Sequence, residues 1–543
     1  MNYHSQLLLL GLAVTSDAAI VKPRASPSSS VPDYFQTSYG PYAGPTKAGQ
    51  APFLAQATLP SLGNNSYVPN TPVATDVPVD GTSNGAEIFK YMGNLSPYMP
   101  NPSGFGVDEY ALPPGSNITQ MHMVHRHGSR YPTQDASVAT VPDRINELLS
   151  NGTRFTGDLS FLNDWTYQLG EEELTALGRQ QLFDSGVLNW FNYGRLYDAS
   201  KPLIARTTTQ VRMLQSAENF LNGFFGPNWK ENVTLEAIIE HPGFNNSLSS
   251  DNECTNHKNG KASAGDDASA KWQEKYLERA TQRLRQSMTG NPNWTAIDTF
   301  NLQNLCPYET VALGFSPFCS LFTWDEWLGF EYANDLSYYG GNGFASPTGR
   351  ALGIGYLEEL IARLQHHYPH PNGDSVAINK TLDSSPTTFP LNQSLYLDFS
   401  HDTNIFSILT AMGLKQFSEF LPTTGPPEDR QLIVSHIVPF AGRFNIEVIK
   451  APRPVLKKRS RDSRDFVYEK TGSETTYIHM LMNQRTIPLG RSISECGQRD
   501  DGWCEIGAFI KAQKKNIAKA NFTESCFGNY STPEYGSIKD GTI

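Results

Sequence analysis

Twice in this chain a short apolar run stops at a charged turn and passes into helical periodicity, and that recurrence restricts the fold more than any other feature. The first run, Asn117-Ile118-Thr119-Gln120-Met121-His122-Met123-Val124, is rich in β-branched and apolar residues and reads as a buried strand ending at His125-Arg126-His127-Gly128. Beyond it, Val141, Ile145, Leu148 and Leu149 recur at helical spacing up to Asn151-Gly152. The second run, Leu395-Tyr396-Leu397-Asp398-Phe399, meets His401-Asp402, after which Ile405, Ile408, Leu409 and Met412 form an apolar stripe closed by Gly413. Strand, loop and helix in that order describe an α/β sheet. In open sheets of this kind ligands collect beyond the carboxyl ends of strands, where helix N-termini offer free N–H groups to anions. The two charged turns are therefore expected to face one anion site.

The rest of the 543 residues must be arranged around that sheet, as two packed units or as one large domain with an insertion. Residues 1–19 are expected to be a signal peptide. Residues 20–111, rich in Pro, Ser, Gly, Asn and Thr, read as an irregular arm, with Phe35, Tyr39, Phe53, Phe89 and Tyr91 as anchors. Such an arm is suited to wrapping the body or to pairing with a second copy in a homo-oligomer; the bland reading is a disordered linker. Residues 112–206 are taken as the first part of the sheet domain. From 207 to 345 helix-like stripes dominate, as at Val211, Leu214, Ala217 and Leu221 and at Trp272, Tyr276, Ala280 and Leu284, so a mainly helical inserted domain is expected there. Residues 346–543 complete the sheet domain, with a helix over 356–367, strands over 444–449 and 476–482, and a C-terminal cysteine-bearing segment.

The expected compartment is extracellular. The apolar run 7–14 followed by small residues around Ser16-Asp17-Ala18 fits a secretory signal, although no Lys or Arg precedes it. Asn-x-Ser/Thr acceptors at Asn64, Asn94, Asn117, Asn151, Asn232, Asn245, Asn293, Asn379, Asn392, Asn521 and Asn529 suit a glycoprotein, with Asn94 handicapped by Pro97. The even set Cys254, Cys306, Cys319, Cys496, Cys504 and Cys526 fits disulfides and leaves their pairing open. A secreted protein, with cell-wall association compatible, follows from these features together. No later apolar stretch reaches membrane-spanning length, and residues 534–543 carry no anchor signal. A formal charge of −11 disfavours nucleic acid and anionic membranes as partners, so anion binding must come from a local cationic pocket.

Arg126-His127-Gly128-Ser129-Arg130-Tyr131-Pro132 supplies such a pocket. Two permanently charged guanidinium forks match phosphate oxygens and stabilise charge on them during transfer, and Gly128 allows close backbone approach. His127 between them is the candidate nucleophile: one ring nitrogen attacks phosphorus while the other is held by a hydrogen bond, and the flanking arginines disfavour the imidazolium. The leaving oxygen needs a proton, for which Asp402 at a helix start is the candidate general acid, favouring activity in acid. A helix cap is the bland role for Asp402, and loop support is the bland role for His401. A metal site at His122, His125 and His127 is not expected, because strand alternation points His122 away from the others. Lys457-Lys458-Arg459-Ser460-Arg461 reads as a solvated basic loop, with dibasic processing as the sharper alternative.

Through Arg-His-Gly-x-Arg-x-Pro and the later His-Asp, the sequence resembles the histidine acid phosphatases, which include fungal phytases and broad-specificity acid phosphatases. Leu174-Thr175, Gly178 and Gln181 are similar to the family's Leu-Thr-x-x-Gly-x-x-Gln helix start, and Arg206 followed by Arg212, Ser216, Ala217 and Phe220 is similar to its third-arginine segment. Tyr338-Tyr339-Gly340 through Arg363 and Val438-Pro439-Phe440-Ala441-Gly442-Arg443 extend the likeness, which spans about residues 120 to 526. The resemblance implies a large α/β domain with a central mixed sheet flanked by helices, and a smaller, mainly helical domain over the cleft. It implies His127 as nucleophile, Asp402 as proton donor, and Arg126, Arg130, Arg206 and His401 as phosphate ligands, with no metal or organic cofactor. It also implies disulfides Cys254–Cys526, Cys306–Cys319 and Cys496–Cys504, whereas other cysteine pairs usual in fungal phytases have no counterpart. The expected activity is hydrolysis of small organic phosphate monoesters, with inositol hexakisphosphate as the rival substrate. Gln134-Asp135-Ala136-Ser137-Val138-Ala139-Thr140 carries none of the lysines that phytate-preferring relatives place after the motif, though folding could bring Lys271, Lys275 or Arg279 near. A phosphoglycerate mutase shares Arg-His-Gly but not the continuation or the His-Asp turn. A catalytically silent binding glycoprotein is the non-enzymatic alternative.

Overall fold

Strand β1 (Asn117–Arg126) is buried on both faces from Gln120 onward, so its neighbours must cover it from both sides. In the computed structural model, which describes residues 74–82, 86–134, 136–369, 377–459 and 467–543, β1 lies in an eight-stranded mixed sheet. The expected signal peptide, the arm up to residue 73, Asn64, Asp135 and the Ser460-Arg461 end of the basic loop lie outside the described residues. The other strands are β2 (Leu203–Thr208), β3 (Val233–Ile238), β4 (Leu395–Ser400), β5 (Arg443–Ala451), β6 (Thr475–Met482), β7 (Arg485–Thr486) and β8 (Cys504–Glu505). Their order is β3-β2-β4-β1-β5-β6-β7, with β8 also on β6. Strands β3, β2, β4 and β1 run parallel, and β5 starts the antiparallel half.

Alternation divides the burial between two layers. Met121 and Met123 of β1, Leu397 and Phe399 of β4 and Ala205 of β2 pack with Leu182, Phe220 and Phe224 from helices Ala176–Tyr193 and Val211–Phe225. Val124 and the inward residues Phe444, Ile446 and Met480 pack on the opposite face against helices Gly349–Gln365, Asp402–Ala411 and Ile506–Lys519. Each fully buried large apolar side chain contributes roughly 1.5–3 kcal/mol, so this double covering keeps the parallel strands in register.

The stretch expected to be mainly helical from residue 207 also holds β3, which pairs with β2 from Leu203↔Val233 to Thr208↔Ile238. Helices Ala264–Tyr276, Glu278–Gln286, Ala296–Leu313 and Trp324–Gly341 follow it. The last two are opened by capping boxes at Thr295/Asp298 and Thr323/Glu326. They build a second core around Leu302, Leu305, Trp327 and Phe330, and the arm joins that core from Val77 to Leu95, with Ile88 and Met92 fully buried, whereas its Phe105 packs in the core of the sheet domain. Disulfides join Cys254 to Cys526, Cys306 to Cys319 and Cys496 to Cys504. Among the described residues no helix is long and apolar enough to cross a membrane.

Candidate active site

The parallel pairing of β1 with β4 places Arg126 opposite Ser400, so the residues that follow each strand leave the sheet side by side. His127 comes from the first exit, and His401 and Asp402 from the second, Asp402 being the first residue of helix Asp402–Ala411. The rings of His127 and His401 lie 5.9 Å apart. The turn after β2 adds Gln210 and Arg212, and the end of β3 adds Glu240. A cavity of about 180 Å³ at these strand ends is lined by His127, Arg130, Gln210, Arg212, Glu240, His401 and Asp402, with Ser249 to Asp251 on one wall.

The loop that follows β1 is pinned through its backbone. The Gly128 N–H donates to Ser216 Oγ (3.2 Å) and the Ser129 N–H to Gln181 Oε1 (2.9 Å). Gly128 and Gly178 touch through their backbones: a Cβ at Gly178 would stand 1.9 Å from the Ser129 carbonyl oxygen, and one at Gly128 2.3 Å from that of Gly178. His127 is 1% exposed, and its Nδ1 lies 2.9 Å from the Gly128 carbonyl. A carbonyl only accepts, so Nδ1 carries the proton and Nε2 keeps its lone pair. Burial first, then Arg126, Arg130 and Arg212, push the imidazole well below its ordinary value, so this nitrogen stays unprotonated in acid.

One oxygen of Asp402 meets an ion-pair partner and two hydrogen-bond donors. Arg126 Nη2 is 2.6 Å from Oδ2, the Tyr338 hydroxyl 2.7 Å and Asn94 Nδ2 3.1 Å, while Oδ1 accepts the Thr403 N–H at 2.9 Å. Burial alone would raise this carboxyl, but Arg126 and the hydrogen bonds outweigh it and hold it well below the usual carboxylate range. Arg126 is itself fixed by the Asn94 and Val438 carbonyls and stacks over Phe440 at 4.6 Å. His401 Nε2 lies 3.0 Å from Glu240 Oε2, and Gln210 donates to the other Glu240 oxygen at 2.6 Å. Against the penalty of burial, His401 and its neighbours bring Glu240 down to about 2.

Arg206, expected from the resemblance to bind phosphate, is not in this cavity. It sits inside β2 opposite Asp398, on the face covered by helix Gly349–Gln365. Its guanidinium donates to Asp398 (2.7 Å) and Glu359 (2.6 Å), and Arg363 binds the other Asp398 oxygen at 2.7 Å. Two arginines line the cavity, Arg130 and Arg212, with Arg126 buried behind Asp402; Arg212 stands in the first turn of the helix after β2 and pairs with Glu172. Its position just past a parallel strand, like that of Asp402, was the signal that could have singled it out. Glu240, Tyr338 and Asn94 carried no such signal, and Asn94 stood only among the glycan acceptors. His122 stacks on Tyr396 at 4.6 Å, whereas His125, on the opposite face, lies 2.8 Å from Ser185 Oγ. Lys271, Lys275 and Arg279 are exposed, and none of them lines the cavity.

A model of the histidine phosphatase superfamily (branch 2) matches residues 117–483. The chain is 32% identical over 457 residues to Phytase A of Aspergillus oryzae, covering 80% of this chain and 90% of that protein. It is 32% identical over 460 residues to a Phytase A of Aspergillus terreus, covering 81% and 91%. Among solved structures, the phytase from D. castellii matches with a TM-score of 0.63 at 23% identity, over 82% of this chain and 89% of that one. The Bifidobacterium longum multiple inositol polyphosphate phosphatase, in complex with inositol hexasulfate, matches with a TM-score of 0.53 at 16% identity, over 79% and 98%. Both share the fold.

Proposed function

The chain belongs to branch 2 of the histidine phosphatase superfamily, and on that premise we propose that it is a secreted acid phosphatase that hydrolyses phosphate monoesters through a phosphohistidine on His127. The observation that carries this reading is His127, tethered through Nδ1 to the Gly128 carbonyl, lining one cavity with Arg130, Arg212 and Asp402, whose carboxylate pairs with Arg126. In the first step Nε2 attacks phosphorus, the ester P–O bond breaks, and the leaving alkoxide takes its proton from Asp402. In the second, water attacks phosphorus, the N–P bond breaks, and the Asp402 carboxylate receives the water proton. The arginines hold the phosphoryl oxygens in both steps, with each such donor contributing roughly 10²–10³ in rate.

Asp402 is ionised while Arg126 faces it alone. A bound phosphate draws on the same guanidinium and places negative charge beside the carboxylate, and both effects raise its affinity for a proton. A monoester monoanion in acid brings that proton with it, which limits turnover to low pH. Secretion is supported by three disulfides and by the density of glycan acceptors.

Small organic phosphates are favoured as substrates, because no lysine lines the cavity and Glu240 and Asp251 stand in its wall. A sixfold-phosphorylated inositol gains most from added positive charge, which is missing there. The second reading, a phytase, is favoured by the relatives named Phytase A. A pH-resolved comparison of phosphate release from an aryl phosphate and from phytate separates the two. We expect release in acid with the aryl ester turned over at least as fast, and none from His127→Ala. Faster phytate release would establish the second reading, comparable turnover by His127→Ala would remove the nucleophile, and silence toward both esters would leave a binding glycoprotein.

A further inference from the structure

Asn94 heads a glycosylation acceptor, Asn94-Leu95-Ser96, yet its side chain is spent inside the active site. The segment that carries it is tightly held. Met92 is fully buried and Leu95 nearly so, the Phe440 N–H donates to the Ser96 carbonyl at 2.9 Å, and the Asn94 carbonyl accepts from Arg126. Ser96, whose hydroxyl an acceptor must present, is fully buried and takes the Met92 N–H at 3.0 Å. The Asn94 amide has one orientation open to it. A carbonyl oxygen facing Asp402 would meet a carboxylate with no proton between them, so Nδ2 must point at Oδ2, as it does at 3.1 Å.

We infer that Asn94 is a positioning residue for the proton donor: its amide holds Oδ2 of Asp402 by a hydrogen bond, and Asn94 therefore carries no glycan. The inference rests on the phosphatase reading and adds a residue of the N-terminal arm to the apparatus. The groups facing Asp402 from the surrounding elements are Arg126 and His127 from the first turn, Tyr338 from helix Trp324–Gly341, and Asn94, with Arg130 and Arg212 acting across the cavity. Of these, Asn94 is uncharged and untitratable, so replacing it changes what the carboxylate feels without removing a phosphate ligand. A donor to an ionised carboxylate favours the ionised form. Without it the acid keeps its proton to higher pH, and the limb of the kcat profile that falls as Asp402 deprotonates moves upward.

The test is the pH dependence of kcat with an aryl phosphate for the whole enzyme and for two side chains of similar size, Asn94→Leu and Asn94→Asp. Asn94→Leu is expected to raise the descending limb by roughly one to two pH units, the effect of one charge-assisted hydrogen bond. Asn94→Asp, which sets a second carboxylate beside the first, is expected to raise it further. A residue that only packs would lower kcat evenly and leave the limb in place, and that result in both variants overturns the proposal. Mass spectrometry of peptides from the secreted enzyme is an independent arm: Asn94 is expected unmodified, and a glycan on it overturns the proposal even if neither variant folds. Wild-type enzyme that releases no phosphate refutes the phosphatase reading instead, and a glycan on Asn94 would then still show that its amide is not held against Asp402.

Discussion

Arg206 and Arg212 flank the end of one strand, and their surroundings give them opposite tasks. Arg206 is 2% exposed and neutralises Asp398 and Glu359 within a network that includes Arg363. Arg206→Met leaves Glu359 buried without its ion pair and Asp398 with Arg363 alone, at a cost of about 3–5 kcal/mol. Arg212 faces the cavity, so Arg212→Ala is expected to lower kcat/KM by roughly 10²–10³ with little change in thermal midpoint. Aryl phosphate kinetics and thermal unfolding of both variants check this; an Arg206→Met enzyme of native stability and no activity would reverse the assignment. The two residues were alike in the sequence, since both are arginines in one similar segment. Only the partners each meets across the fold separate them.

At the scale of elements, the geometry depends on helix Ala176–Tyr193 pressing against the loop that carries His127. The contact between Gly128 and Gly178 leaves no room for a methyl group, because the obstructing atoms are backbone. Gly178→Ala must therefore push the loop off the helix and shift His127. Displacements of about 1 Å can cost 10²-fold in rate, so at least a tenfold loss of kcat is expected, measured beside thermal unfolding to show that the fold survives. Strands β1 and β4 and the helices after them were legible because their apolar runs are continuous, as fully buried parallel strands require. β3 was not, since its burial is partial over Thr234 to Ala237 and only pairing with β2 makes it a strand.

For the whole molecule, buried ionisable groups set the pH range of stability. Burial pushes Glu236 and Glu309 up to about 7, Glu331 to about 8 and Asp383 to about 9. The stability these acids contribute is complete below the ordinary carboxylate range and is lost as pH climbs through 7 to 9. Burial pushes the histidines His122, His125, His127, His257 and His436 down, so the unfolded chain takes up protons below about 6.5 that the folded chain refuses until much lower pH. Asp398, Asp402 and Glu240, held below their usual range, lose their contribution as pH falls below about 4. Acids and histidines nearly offset each other between about pH 4.5 and 6.5, so the thermal midpoint should be broadly maximal there and fall on either side. A midpoint that rises steadily from pH 6.5 to 9 would contradict this account. By itself, the sequence determined the class of sheet, the two charged turns, and the candidate nucleophile and acid upon them, because each lies within one continuous stretch whose periodicity and residue types carry the information. The tertiary structure alone decided that Arg212 rather than Arg206 reaches the cavity, that Glu240 holds His401, and that Tyr338 and Asn94 converge on Asp402. Those contacts join side chains far apart in the chain, and hydrogen bonds that act over about 3 Å leave no local pattern until strand register and helix packing bring the partners together.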